Sequence, residues 1–599
     1  MENKNFNTKQ EKGEFPFEKN AHYQKKQDEN RVIFKKHQDN FIPKNFKNEF
    51  LFLPLGGSNE IGMNFNLYHQ DGKWLIIDCG IGFADEELPG IDITTPKIDF
   101  LLNSKPDICG MIITHIHEDH IGAVGYLWEF IKCPIYVSKI GKEFLIHKLK
   151  ERGVNIDDVE VHEFEENMNV DINIGPFVVE MIGITHSVPE MAAVKIRTPH
   201  GHIFHTGDWK LDKDPVIGNV SNLKRIKEIG SEGVYAMICD STNVFSEGWS
   251  GSEGDLEKSL YKIVKEQKNR VLITTFASNI ARLETIARVA KKSGRHIVIA
   301  GFSLTRIVKI AHKCGYLLDH DFLEPREARG FNKDKLLILC TGCQGEHNAA
   351  LTKIATGQHP NIDLEEDDTV IFSSKIIPGN DKKIYSVFNK LILNNINIIT
   401  EKGHAVHVSG HPNREELKKM YSIVKPRFSV PVHGEQYHIY EHAEFAKSLG
   451  VSDAYRVKNG DVLAFRKDGI EKVGVVPSGK MCVDGLLLRD SESKVLQDRV
   501  LLANSGIVTV IIVINSSGNL VFSPSIDTTG FLDDFEDADI YKDFENIIRK
   551  EIQISLESFE KKDKSTEHDF TDRIERIIAN VAYRLTTKNP VIKVTFKVI

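Results

Sequence analysis

Short apolar runs that end in turn-forming or metal-ligating residues mark most of the first half of the chain after about residue 48. Residues 50–57 read as a strand running into a tight turn, and 64–69 with 74–78 flank Asp71-Gly72 as a hairpin. Residues 111–114 form a short buried strand that stops at His115, with a helical stretch at 121–131. Further strands are expected at 178–184, 193–197, 202–205 and 235–239, ending at Thr185-His186, at Gly207-Asp208 and at Asp240. From about residue 251 strand and helix alternate. Strands at 271–276, 296–300, 336–339 and 369–372, with a helix at 280–291, predict an α/β unit with a mostly parallel sheet. The final hundred residues change again. Strands at 506–515, 520–522 and 591–598, a helix at 543–557, and an apolar face of Ile574, Ile577, Ile578, Val581 and Leu585 predict a small α+β domain. No internal repeat is visible.

Composition narrows this picture only modestly. The 599 residues are 41% hydrophobic and 27% charged, which suits a large multidomain protein with ample core. The formal net charge of -8 excludes a generally basic surface, so a polyanionic partner would be held locally or through metal ions. The Lys-, Asn- and Gln-rich residues 1–48 read as a solvated, weakly ordered tail. The start is polar and charged, unlike a secretory signal peptide, and the longest apolar run, 507–514, is far shorter than the roughly 20 residues of a membrane span. Eight scattered cysteines form no disulfide framework, and a soluble protein of the reducing cytoplasm is expected. Cys340-Thr341-Gly342-Cys343 is formally a CxxC, but no thioredoxin-like βαβ context surrounds it.

The chemistry is concentrated in Thr114-His115-Ile116-His117-Glu118-Asp119-His120, where three imidazoles and two carboxylates follow a buried strand. Imidazole nitrogen suits zinc, and carboxylate oxygen can complete or bridge a site. His115 and His117 can address one metal while Asp119 and His120 reach a second. The bland alternative, a solvated polar loop, does not account for such a density of ligand types. One short run cannot saturate two ions, so further ligands are required. His186, Asp208 and His433 each stand where a strand runs out, and a sheet fixes the origins of such ligands well.

The H-x-H-x-D-H run, the earlier Asp78 and the later His186 and Asp208 resemble the metallo-β-lactamase superfamily. Asp240-Ser241-Thr242-Asn243, His407-Val408-Ser409-Gly410-His411 and Pro431-Val432-His433-Gly434-Glu435 narrow the resemblance to β-CASP nucleases. Leu55-Gly56-Gly57-Ser58-Asn59-Glu60-Ile61-Gly62, Thr185-His186-Ser187-Val188-Pro189-Glu190 and Val483-Asp484-Gly485 are similar to the bacterial ribonuclease J family. The resemblance runs from about residue 48 to the end. Cys343 within Thr341-Gly-Cys-Gln-Gly-Glu is a small departure that leaves the ligand positions intact.

The resemblance implies a fold, a site and an activity. The fold is a metallo-β-lactamase αββα sandwich (residues 49–250 and 419–480) split by an inserted α/β β-CASP domain (251–418). A linker (481–495) and a C-terminal α+β domain (496–599) that supports a homodimer or homotetramer follow. His115, His117 and His186 would hold one metal, Asp119, His120 and His433 a second, and Asp208 would bridge them; the ions would be two Zn2+, with Mn2+ or Mg2+ as alternatives. Asp78 would orient ligands, while Asp240 and His411 match motifs that set β-CASP enzymes apart, His411 serving as proton donor to the leaving group. Ser278, His407, Ser409, Gly410 and His411 would bind an RNA 5′ phosphate. Ser278 stands where a strand gives way to a helix, so a helix N-cap is an equally good local reading of it.

The expected activity is metal-dependent 5′-3′ exonuclease and endonuclease cleavage of single-stranded RNA in rRNA maturation and mRNA decay, alongside other RNA-decay proteins and away from membranes. Two alternatives stand beside it: a catalytically idle scaffold of an RNA-decay complex, which should bind less than two equivalents of metal, and another hydrolase of the same fold, which would leave Ser278 and His407 without a role.

Overall fold

The computed structural model describes residues 48–84, 87–377, 379–559 and 567–599. The tail expected at 1–48 lies outside the described residues except for its last position.

Two sheets stack face to face. The first has eight strands in the order Gly469–Val475, Asp461–Arg466, Phe50–Gly56, Phe65–Gln70, Lys73–Ile77, Asp107–Ile112, Ile135–Val137, Val161–Glu163. The second has seven: Asp453–Ala454, Phe428–Val432, Val234–Asp240, Gly201–His205, Ala192–Thr198, Phe177–Gly183, Ile172–Ile174. Alternate residues of each sheet point inward. Phe50, Phe52, Tyr68, Leu75 and Ile77 of one interleave with Phe177, Val179, Val194, Ile203, Ile238 and Val430 of the other in a single apolar core. The outer faces are covered by helices: Val124–Ile131 and Lys139–Glu151 on the first sheet, and Leu223–Glu232, Arg414–Val424 and Gln436–Ser448 on the second. This is the αββα sandwich, with both sheets buried on two sides.

A separate five-stranded sheet, His296–Ala300, Leu336–Cys340, Val271–Thr274, Thr369–Phe372, Asn397–Ile399, is parallel throughout. It carries continuous apolar runs because helices such as Ile280–Lys292 and Asp381–Leu393 pack around it. The C-terminal domain has its own core. Ile507–Ile514 pairs parallel with Val591–Val598 and antiparallel with Ser525–Asp527, and the helices Ala538–Phe559 and Glu567–Thr586 bury Phe544, Ile548, Ile574 and Ile578 on this sheet.

Several local expectations need correction. Residues 520–522 form no strand; Leu520 makes one isolated bridge to Ile514 and the Val521 N–H donates to the Val513 carbonyl, but residues 521–522 bend instead of continuing the pairing. Residues 481–495 are not a plain linker. Lys480–Asp484 and Leu487–Asp490 form a hairpin that pairs with Ile93–Pro96 in a four-stranded sheet, while Lys494 already begins the helix Lys494–Ser505. The division expected at 418 falls inside Arg414–Val424, whose Leu417, Met420 and Val424 pack with Ile226 and Ile229 over the second sheet. As read from the sequence, Cys340 and Cys343 show no sign of a redox pair: both are free and buried, and burial pushes both thiols up to about 12. Among the described residues no helix is long and apolar enough to cross a membrane.

Candidate metal centre

All the candidate ligands leave the sandwich at one edge. Asp107–Ile112 delivers the 115–120 loop, Phe177–Gly183 delivers His186, Gly201–His205 delivers Asp208, Val234–Asp240 ends on Asp240, and Phe428–Val432 delivers His433. His433 and Asp78, which ends the Lys73–Ile77 strand, hold left-handed backbone, at φ 53° and 64° respectively. Such conformations cost energy in a non-glycine residue and persist where surrounding structure fixes them.

The side chains converge in three overlapping groups: His115, His117, His186 and Asp208; Asp119, His120, Asp208 and His433; and Asp208, Asp240, His411 and His433. Within each, one ligand atom per residue lies within 4.8 Å of the others. Asp208 belongs to all three. Its Oδ2 is 3.9 Å from His115 Nε2, 3.9 Å from His186 Nε2, 3.2 Å from His120 Nε2 and 3.8 Å from His411 Nδ1. Its Oδ1 is 2.9 Å from His433 Nδ1, and His433 Nε2 is 3.2 Å from Asp119 Oδ2. The third group, which joins His411 and Asp240 to His433, was not expected as a unit.

These donors suit a cation. His115 Nε2 is buried with no hydrogen-bond partner, and Asp208 Oδ1, although near His433, is not hydrogen-bonded either. His186 Nε2 and His117 Nδ1 face each other at 3.0 Å. Orphaned buried nitrogen and oxygen lone pairs are costly in a protein interior, and a shared metal ion satisfies them together.

Electrostatics sorts the imidazoles. Burial, reinforced by neighbouring imidazoles, holds His115 and His186 well below the usual histidine range. Burial pushes His117 down to about 4 against the pull of Asp119 and Asp208. For His120 burial acts the same way but is outweighed by Asp208, Asp78 and Asp119; for His433 it is outweighed by Asp208, Asp119 and Asp240, so both are held well above that range. His411 is also raised, since Asp240 and Asp208 overcome its burial. In return Asp208, Asp119 and Asp240, which burial alone would raise, are held below the usual carboxylate range by these imidazoles.

A surrounding set of partners fixes the ligands, and much of it was not foreseen. Asp78 accepts a hydrogen bond from His120 Nδ1 at 2.7 Å, and from the Thr114 backbone N–H and hydroxyl. Asn64 Nδ2 is 3.0 Å from His120 Nε2. The Gly410 carbonyl accepts from His186 Nδ1 at 2.6 Å, the Asp240 carboxylate from His411 Nδ1 at 2.8 Å, and Asn243 Nδ2 donates to Ser409 Oγ and the His411 carbonyl. Thr114 and Asn243 lie inside the motif stretches and Asn64 two residues beyond Gly62, which is the one signal that points to them.

The expected phosphate-binding residues sit beside this centre. Arg282, fully buried and paired with Glu253 at 2.7 Å, donates to the Val408 carbonyl and to Ser373 Oγ, and lies 3.4 Å from His407 Nδ1. It thereby braces the loop carrying His407, Ser409, Gly410 and His411. Burial, with Arg282, Lys375 and Lys210 adding to it, holds His407 well below the usual range. Ser278 is not the cap of Ile280–Lys292; Asn279 is, its side chain accepting from the Arg282 N–H. The Ser278 hydroxyl makes no hydrogen bond among the described residues and is half-buried.

Comparison with known proteins agrees with this arrangement. Residues 64–212 match the metallo-beta-lactamase superfamily, 268–391 the ribonuclease J beta-CASP domain, 396–457 the Zn-dependent metallo-hydrolase RNA specificity domain, and 494–597 the ribonuclease J C-terminal domain. The chain is 37% identical over 553 residues to ribonuclease J of Sinorhizobium meliloti, covering 91% of this chain and 97% of that one. It is 33% identical over 551 residues to ribonuclease J 1 of Streptococcus pyogenes, with the same two shares, and 34% identical over 490 residues to ribonuclease J of Synechocystis sp., covering 80% and 75%. With its domains in this order and its His and Asp side chains gathered at one sandwich edge, the chain belongs to the ribonuclease J family of metal-dependent ribonucleases.

Proposed function

We propose that this protein hydrolyses single-stranded RNA by both 5′-3′ exonuclease and endonuclease action, prefers 5′-monophosphate ends, and serves rRNA maturation and mRNA decay in the cytoplasm. The observation that carries the reading is the sharing of Asp208 by every ligand group. His115, His117, His186 and Asp208 would hold one divalent ion, and Asp119, His120, Asp208 and His433 another, most simply Zn2+ given the nitrogen-rich donors. When bound, a pair of such ions lowers the pKa of water and neutralises the non-bridging oxygens of a phosphodiester.

The chain's own groups do the rest. Asp78 orients His120, and the Gly410 carbonyl orients His186. Asp240 keeps His411 protonated at its Nδ1 side, and the raised basicity of His411 suits a proton donor to the departing ribose 3′ oxygen. Ser278, His407, Ser409 and Gly410 are the residues for a 5′ phosphate, and the bracing of their loop by Arg282 supports a preformed pocket. A complete ligand set argues against the idle scaffold. The separate C-terminal core is consistent with a dimerising or tetramerising domain, and other RNA-decay proteins would be partners of the assembly.

The test uses single-stranded RNA with a 5′ monophosphate, labelled at its 5′ end, with wild type, Asp119→Ala and chelator-treated protein. Early release of labelled mononucleotide by wild type alone is the expected result. Shorter labelled oligomers only would leave endonuclease action without the exonuclease, and no cleavage by metal-replete protein would overturn the reading.

A further inference from the structure

Two aromatic rings stand exposed beside the metal centre with no structural task that accounts for them. Phe245 follows the Asp240-Ser241-Thr242-Asn243 motif by two residues, and Tyr437 lies in the first turn of Gln436–Ser448, four residues after His433. Their ring centroids are 4.6 Å apart at an interplanar angle of 35°, yet Phe245 is 40% and Tyr437 68% exposed. Single exposed apolar side chains are ordinary on protein surfaces. An exposed pair of tilted rings in contact, anchored to two segments of one active centre, is not the ordinary case.

The anchoring is tight. His438 packs edge-on against Phe245 at 5.1 Å, and its Nδ1 is buried without a hydrogen-bond partner. At Gly434 any side chain would meet His438 Cβ at 2.8 Å and Ser241 Cβ at 3.1 Å, so the two segments touch directly under the pair. Asn243 ties the same loop to Ser409 and His411. On the β-CASP side Lys375, exposed and without an ion pair among the described residues, stands two residues after Ser373, whose hydroxyl donates to the Val406 carbonyl and accepts from Arg282 beside the His407 loop. A cation for phosphate and a π-face for a base thus flank the same centre.

We propose that Phe245 and Tyr437 form a stacking platform for one nucleobase of the RNA adjoining the phosphodiester that is cut, with Lys375 neutralising a neighbouring phosphate. This rests on the RNA-cleaving reading above. Base–aromatic stacking needs no particular base, since each has a π-face, and so suits an enzyme acting on varied single strands. It also reconciles an RNA substrate with a net charge of -8, because part of the grip comes from stacking.

The test measures kcat/KM on a set of single-stranded RNAs, each carrying one abasic residue at a different position. Wild type is compared with a Phe245→Leu/Tyr437→Leu double variant, and metal content is measured on both to establish an intact centre. Wild type should lose about fivefold to a hundredfold at one abasic position. The double variant should show a loss of similar size on fully natural RNA, retain its metal, and show no additional penalty at that position. Variants that cleave natural RNA at the wild-type rate, or that keep the full abasic penalty, would overturn the platform while leaving the ribonuclease reading intact. A wild type that cleaves none of the RNAs would overturn that reading and the platform with it.

Discussion

The Asp78 carboxylate takes a 2.7 Å hydrogen bond from Nδ1 of His120, whose Nε2 lies 3.2 Å from Asp208. An ionised carboxylate can only accept, so this bond keeps a proton on Nδ1 and aims Nε2 at Asp208, where a metal ion would take the place of the Nε2 proton. Removing such an outer partner typically weakens metal binding about 10- to 100-fold. Asp78→Ala is therefore expected to lose metal affinity by about that factor in competition with a chromogenic chelator, with the fold retained by circular dichroism. Affinity equal to wild type would show that Asp78 does not orient His120.

Gly410 fixes His186 by its lack of a side chain as much as by its carbonyl. A Cβ there would stand 2.7 Å from His186 Cε1 and 3.0 Å from its Nδ1. The ring, held by its bond to the Gly410 carbonyl, cannot retreat without leaving His115 and His117. Gly410→Ala should weaken one of the two bound metals by about tenfold or more. Two metals held at wild-type affinity would contradict the crowding.

Arg282 and Glu253 are a buried ion pair with relative side-chain exposures of 0% and 2%. Removing one partner of such a pair leaves an uncompensated buried charge and costs roughly 3–5 kcal/mol. Arg282→Leu should unfold at a clearly lower temperature in calorimetry and raise KM for RNA bearing a 5′ monophosphate more than for RNA bearing a 5′ hydroxyl. An unchanged unfolding temperature would argue that Glu253 finds another partner; equal effects on both RNAs would separate Arg282 from the phosphate pocket.

The C-terminal domain has a core of its own, built from Val508, Val510, Phe544, Ile574 and their neighbours. If the full chain is the homodimer or homotetramer proposed above, truncation before Leu496 should leave the αββα sandwich and β-CASP domain folded and give monomers on sizing chromatography with light scattering. An unchanged mass would place the interface elsewhere.

Much of this site is legible in the sequence because its residues sit where strands end. His115, His186, Asp208 and His433 each follow an apolar run, and such a run marks its own end. The bracing is less legible. Arg282 reads as one more charge on an amphipathic helix, and only the fold brings it to Val408, 126 residues away in sequence. The hairpin of Lys480–Asp484 and Leu487–Asp490 is short and carries Lys480, Asp484, Arg489 and Asp490, so it shows little apolar alternation, and its pairing with Ile93–Pro96, nearly four hundred residues earlier, leaves no local pattern at all. The isolated bridge of Leu520 shows the opposite error: a short apolar run at which the chain bends instead of pairing on.

The central claim is that Asp208 joins two metal positions. It is tested most directly by metal analysis of wild type and Asp208→Ala after exhaustive dialysis and reloading with zinc. Wild type should hold two equivalents per chain and the variant less than one, with loss of RNA cleavage in parallel. Two equivalents retained by Asp208→Ala, or one or fewer in fully active wild type, would contradict it.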